Sequence, residues 1–193
     1  MKIVHLIAGI ALSATPSLAE ETTQLDAHEH GVGQLNIAFD ENKVAMELHA
    51  PGADIVGFEY GAKSDVDLAA IDAALQTLSD PLGLFLLPEA ASCIVITAHA
   101  KLESEDSDHD DHDEEGHDEE GHDDHDEAPG HTEFHAEYLL ECANLTEMSA
   151  ITFSYFEIFP NALELEVQVI SDKGATAFEI ERDVAKLDLR GIF

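Results

Sequence analysis

Basic side chains are scarce in this chain. Eight Lys and Arg stand against 42 Asp and Glu in 193 residues, a formal net charge of −34. A surface so poor in cations excludes nucleic acid and anionic lipid as partners, because both are held through Lys and Arg. Long hydrophobic runs are missing too. A membrane-spanning helix needs about 20 apolar residues, and no stretch supplies them, so no membrane insertion is expected after removal of an N-terminal leader. Cysteine is limited to Cys93 and Cys142, with no C-x-x-C pair of the kind found in thiolate zinc sites and redox motifs. His-Glu-x-x-His, Gly-x-Ser-x-Gly, a glycine-rich phosphate loop and a plausible cysteine nucleophile are all lacking, which argues against an enzyme. No EF-hand loop favours calcium, and no methionine-rich run favours Cu(I).

What the chain has in excess is histidine set among carboxylates. Residues 103–131 carry His109, His112, His117, His122, His125 and His131 among sixteen Asp and Glu. Two tandem copies of Asp-Glu-Glu-Gly-His, Asp113–His117 and Asp118–His122, mark low complexity. With almost nothing apolar to bury, such a segment is expected to be disordered and extended by its own charge. A merely solvating acidic spacer has no use for an imidazole every few residues. Imidazole is the commonest side-chain ligand of borderline divalent metals, and carboxylates add oxygen donors. The tract therefore reads as several weak, exchanging metal sites rather than one closed tetrahedron.

The N-terminus has the pattern of a secretory leader. Lys2 is the positive region, Ile3–Leu12 the short apolar core, and Ser17-Leu18-Ala19 the small-x-small cleavage site, giving a signal peptide over 1–19. In an exported chain, two cysteines read as one disulfide, Cys93 to Cys142, with a thiolate zinc ligand as the rival. Such a bond would clip together the segments flanking the tract. The remaining residues of 20–193 suffice for one metal-binding domain, or two small β-rich halves, interrupted by the tract.

The rest of the pattern is that of an α+β fold: mostly antiparallel sheet built from hairpins, one amphipathic helix, and the long His/Asp-rich insertion. Leu35, Ile37 and Phe39 alternate with polar residues, as do Val44, Met46 and Leu48, with turn chemistry between them. His49 falls on the polar face beside Glu47, and Pro51 ends that strand. Ser64 and Asp65 start a helix whose apolar stripe is Leu68, Ile71, Leu75 and Leu78. Cys93–Leu102 reads as a strand with Ile94, Ile96 and Ala98 on one face and Val95, Thr97 and His99 on the other. Thr132–Cys142 reads as its partner, with His135, Glu137 and Glu141 sharing the polar face. Leu163 to Val169 and Ala175 to Ile180 form a last pair. Near the mature N-terminus, His28 and His30 are two apart in an extended segment and so face one side together.

Several of these residues resemble a known family. They are His28-Glu29-His30-Gly31, Ala50-Pro51 with Val56-Gly57-Phe58-Glu59, Ala90–Cys93, the His/Asp insertion, and His135-Ala136-Glu137-Tyr138 running to Cys142. Their order is similar to that of the DUF2796 family, the ZrgA-like periplasmic zinc-binding proteins. The resemblance implies a periplasmic protein tied to zinc acquisition, working with a zinc ABC importer or its substrate-binding protein. It also implies a zinc-binding folded body with a mobile His/Asp loop. By position it makes His28, His30 and His135 ligand candidates, with His49, just before Pro51, as a further one. His99, on a strand face, is a candidate from the residues alone. The expected cargo is Zn2+. Nickel, cobalt or copper handling is the alternative, because imidazole accepts all three. A metal-dependent hydrolase is the reading the residues support least.

Overall fold

The computed structural model describes residues 29–104 and 131–192. The signal peptide expected over 1–19, the disorder expected of the tract, and His28, His109, His112, His117, His122 and His125 lie outside the described residues.

Alternation builds the larger sheet. Val32–Asp40 (β1) and Lys43–Pro51 (β2) form the expected hairpin, with Leu35 opposite Leu48, Ile37 opposite Met46 and Phe39 opposite Val44. Facing residues share a side of a sheet, so these six form one buried patch. Cys93–Ser104 (β4) pairs antiparallel with Thr132–Cys142 (β5), and Glu164–Ser171 (β7) with Gly174–Glu181 (β8). The strand order is β4-β5-β2-β1-β7-β8. A smaller sheet joins Phe85–Leu86 (β3), Ala150–Phe153 (β6) and Lys186–Asp188 (β9) in the order β3-β6-β9.

Among the described residues four α-helical segments accompany the sheets, and three are single turns: Gly52–Ile55 (α1), Pro81–Leu84 (α3) and Tyr155–Ile158 (α4). Asp65–Leu78 (α2) is the expected amphipathic helix. It opens with a capping box, in which Ser64 accepts from the Asp67 N–H and Asp67 accepts from the Ser64 N–H. Its buried face is Ile71, Ala74 and Leu78, and Leu68 is exposed instead. Helix α2 lies against β4. With the small sheet and α4 it covers one face of the large sheet, and the buried residues form one contiguous core from Leu35 to Leu189.

Pairing is mostly antiparallel, as expected; the exception is β1, which runs parallel to β7 from Val32 opposite Glu164 to Ala38 opposite Ile170. Two expectations need correction. Strand β4 does not keep one alternation. A bulge between Val95 and Thr97 inserts Ile96, so Ala98 turns to the core opposite Tyr138 while Ile94 sits opposite Glu141 on the outer face. The insertion also starts later than 103, since Glu103 and Ser104 belong to β4 and stand opposite Glu133 and Thr132.

Cys93 and Cys142 are register partners and form a disulfide across β4 and β5, so neither thiolate is left for a metal. The bond ties the two strands together at the end away from the tract.

Candidate metal centre

The outer face of the large sheet carries the polar residues of β2, β5 and β4. Register decides which of them meet. His49 on β2 stands opposite His135 on β5, and Lys101 on β4 stands opposite His135 from the other side. Pro51, Glu133 and Glu103 form the next row. Two imidazoles on neighbouring strands, directly opposed, are thus brought face to edge. Their ring centroids are 4.0 Å apart at 60°.

Glu133 completes the group. Residues two apart on a strand point to the same side, so Glu133 and His135 share the outer face of β5. Glu133 Oε2 contacts His135 Nε2 closely and lies 3.4 Å from His49 Nδ1. Ligand atoms of His49, Glu133 and His135 all lie within 4.8 Å of one another. The side chains are 25%, 11% and 16% exposed, so the carboxylate is held in a half-dry cleft. Two more carboxylates flank it: Glu103 Oε2 is 3.2 Å from His135 Nε2, and Glu47 Oε1 is 3.2 Å from His49 Nε2.

Three of these four contacts suit a cation, the close His135–Glu133 contact being shorter than a metal's ligand edge. Bonds of about 2.1 Å to a tetrahedral zinc set its ligands about 3.4 Å apart. The His49–Glu133, His135–Glu103 and His49–Glu47 contacts are longer than the roughly 2.7–2.9 Å of good charge-assisted hydrogen bonds and close to that edge length. Two nitrogens and one oxygen form a three-ligand set with room for a fourth, and Glu103 is placed to supply it. The electrostatics agree. Contact with Glu133 raises the His49 pKa above its ordinary 6.5, Glu47 adds to the rise, and burial opposes it. Lys101, paired with Glu103, holds the Glu103 carboxyl below its ordinary range. The site thus carries a negative charge excess that a proton or a metal ion must answer.

The other histidines are placed differently. His99 stands exposed opposite Glu137 and belongs to no three-ligand group among the described residues. His30 and His131 both contact Glu59. Glu133 and Glu103 do not stand out as ligands in the sequence, and Glu59 stands out there only as the end of the Val56–Glu59 motif. For Glu133 a local signal exists, its period-2 spacing from His135. For Glu59 and Glu103 only the tertiary pairing tells.

No curated protein matches the chain. The family model described as ZrgA family zinc uptake protein matches residues 27–189, which takes in every described strand and helix. The chain belongs to the ZrgA family of zinc uptake proteins.

Proposed function

We propose that the protein captures Zn2+ outside the cytoplasm at His49, His135 and Glu133, with Glu103 or water as the fourth ligand, and supports its uptake. The observation that carries this reading is the shared carboxylate: one oxygen of Glu133 touches both imidazoles, which come from opposed strands. Neutral imidazole and carboxylate are the donors a borderline dication prefers. Two half-exposed imidazoles leave a route for the ion to depart, as a protein that hands on its cargo requires.

The acidic tract extends the same chemistry. Its imidazoles and carboxylates offer many weak ligands that raise the local cation concentration beside the sheet. Delivery is to a zinc ABC importer or its substrate-binding protein in the periplasm, in keeping with the leader-like N-terminus. Nickel, cobalt and copper share the donor preference, so zinc is favoured on family membership rather than on geometry.

The test is equilibrium dialysis of the mature chain against buffered zinc, beside a His49→Ala/His135→Ala variant and a 105–130 deletion. The double variant binds one ion fewer than wild type and loses the tightest one. The deletion loses only weaker ions. Equal tight binding by wild type and the double variant overturns the site, and unchanged total binding by the deletion overturns the role of the tract.

A further inference from the structure

A second group of imidazole and carboxylate side chains lies near the first, and the reading above does not use it. Glu59 follows α1 in a loop that folds back against the start of β5. The close approach needs glycine at position 52, where a Cβ would meet Thr132 Oγ1 at 2.3 Å and the Phe58 carbonyl at 2.7 Å. Glu59 is thereby brought under the two chain ends that carry His30 and His131. Its Oε2 lies 3.3 Å from His30 Nε2 and 2.9 Å from His131 Nδ1. Gly31, at φ +91°, turns the chain behind His30, and its N–H donates to Asp54 Oδ1 at 2.8 Å.

The surroundings are those of a cation site. The Glu59 side chain is 13% exposed, and its Oε1 is buried with no hydrogen-bond partner. Asp54 is 2% exposed, and its Oδ2 also lacks a partner. The Asp54 carboxylate lies within electrostatic reach of both His30 and Glu59. Buried carboxylate oxygens are costly to leave unanswered, and two in one place call for positive charge. Lys and Arg do not supply it, because neither side chain forms an ion pair with Asp54 or Glu59 among the described residues.

We propose that His30, Glu59 and His131 form a second divalent-cation site for a borderline metal such as Zn2+, backed by the buried Asp54 carboxylate. Both imidazoles are exposed, so they turn onto an ion without disturbing the core. His131 is the last histidine of the acidic tract, and Glu133 of the first site follows two residues later. A strand advances about 3.3 Å per residue, so the two sites are neighbours along one stretch of backbone. The second site thus adjoins one end of the tract, and it rests on its own ligands, not on the His49 pair.

Residue-resolved histidine labelling with diethyl pyrocarbonate, read by mass spectrometry on the full mature chain, separates the two sites. Zn2+ alone is the probe. At free zinc about tenfold above the dissociation constant, labelling of a ligand histidine falls about tenfold, because only the unoccupied fraction reacts. His30 and His131 lose reactivity together in wild type. In Glu59→Gln both stay reactive, while His49 and His135 remain protected by zinc. Should Glu59→Gln misfold, His131→Ala serves: His30 loses its protection by zinc. Unchanged His30 and His131 reactivity in zinc-saturated wild type overturns the proposal, and so does protection that survives both substitutions. Loss of His49 and His135 protection in wild type would instead count against the first site.

Discussion

Replacing Glu133 with Gln removes the single charge that both imidazoles of the first site share. The size is near that of the carboxylate, so the cleft keeps its shape. The carboxylate is mostly buried and touches His49 and His135 at once. Removing one partner of such a buried charge pair costs about 2–5 kcal/mol, chiefly through faster release. At about 1.4 kcal/mol per decade, the tightest zinc site should weaken by roughly 30-fold to 3,000-fold near pH 7.5. The deficit also has a pH signature. In wild type Glu133 raises His49 above 6.5, so protons compete with zinc there already near neutrality. The Gln variant loses most of that rise, so its affinity falls less steeply as pH drops, and the gap to wild type narrows towards pH 6. Competition against a chromogenic zinc chelator at pH 7.5 and pH 6.0 reads both effects. A tightest-site affinity within about twofold of wild type, or a gap that does not change with pH, would refute the reasoning.

Other outcomes follow from the same structure. Binding the first equivalent of zinc at pH 6.5 releases protons, because a His49 raised above 6.5 is more than half protonated there; titration calorimetry in two buffers of different ionisation enthalpy shows less release from His49→Gln. The metal-free form has the matching stability trend. A raised His49 contributes stability that is complete below pH 6.5 and is lost as pH climbs through its folded-state value, so urea unfolding with chelator shows His49→Gln costing more at pH 6 than at pH 8.5. Cys93→Ala/Cys142→Ala opens a 49-residue separation, costs about 4 kcal/mol and lowers the melting temperature by roughly 10 °C; a change below about 2 °C would contradict this. Gly52→Ala forces a methyl against Thr132 Oγ1 and costs about 1–3 kcal/mol in the same urea assay.

Much of the scaffold is legible locally. The hairpin of Leu35, Ile37 and Phe39 with Val44, Met46 and Leu48, the strand holding Leu165, Val167 and Val169, and the helix opened by Ser64 all follow from period and capping alone. The disulfide follows from cysteine count and the leader-like pattern of the N-terminus. Non-local choices leave no such trace. Parallel pairing of β1 with β7 joins segments over 120 residues apart and has no turn to announce it. The bulge at Ile96 resets the faces of β4, and an apolar run of Ile94, Val95 and Ile96 looks the same with or without it. Strands of two to four residues, as in the small sheet, are too short to show a period.

The candidate site divides along the same line. An imidazole on a strand's polar face is informative, so His49 and His135 stand out, and their meeting is fixed by the register of β2 on β5. Glu133 is one acidic residue among 42 Asp and Glu, indistinguishable by type from any solvated carboxylate. Beyond its period-2 spacing from His135, burial and its position beneath two rings set it apart. His99, equally conspicuous in sequence, faces Glu137 with no third ligand among the described residues.

The most direct measurement is anomalous diffraction at the zinc edge from crystals of the mature protein carrying one equivalent of the metal. The expected result is a peak about 2.0–2.2 Å from ligand atoms of His49, His135 and Glu133. Full zinc occupancy elsewhere, with those three side chains unligated, would contradict it.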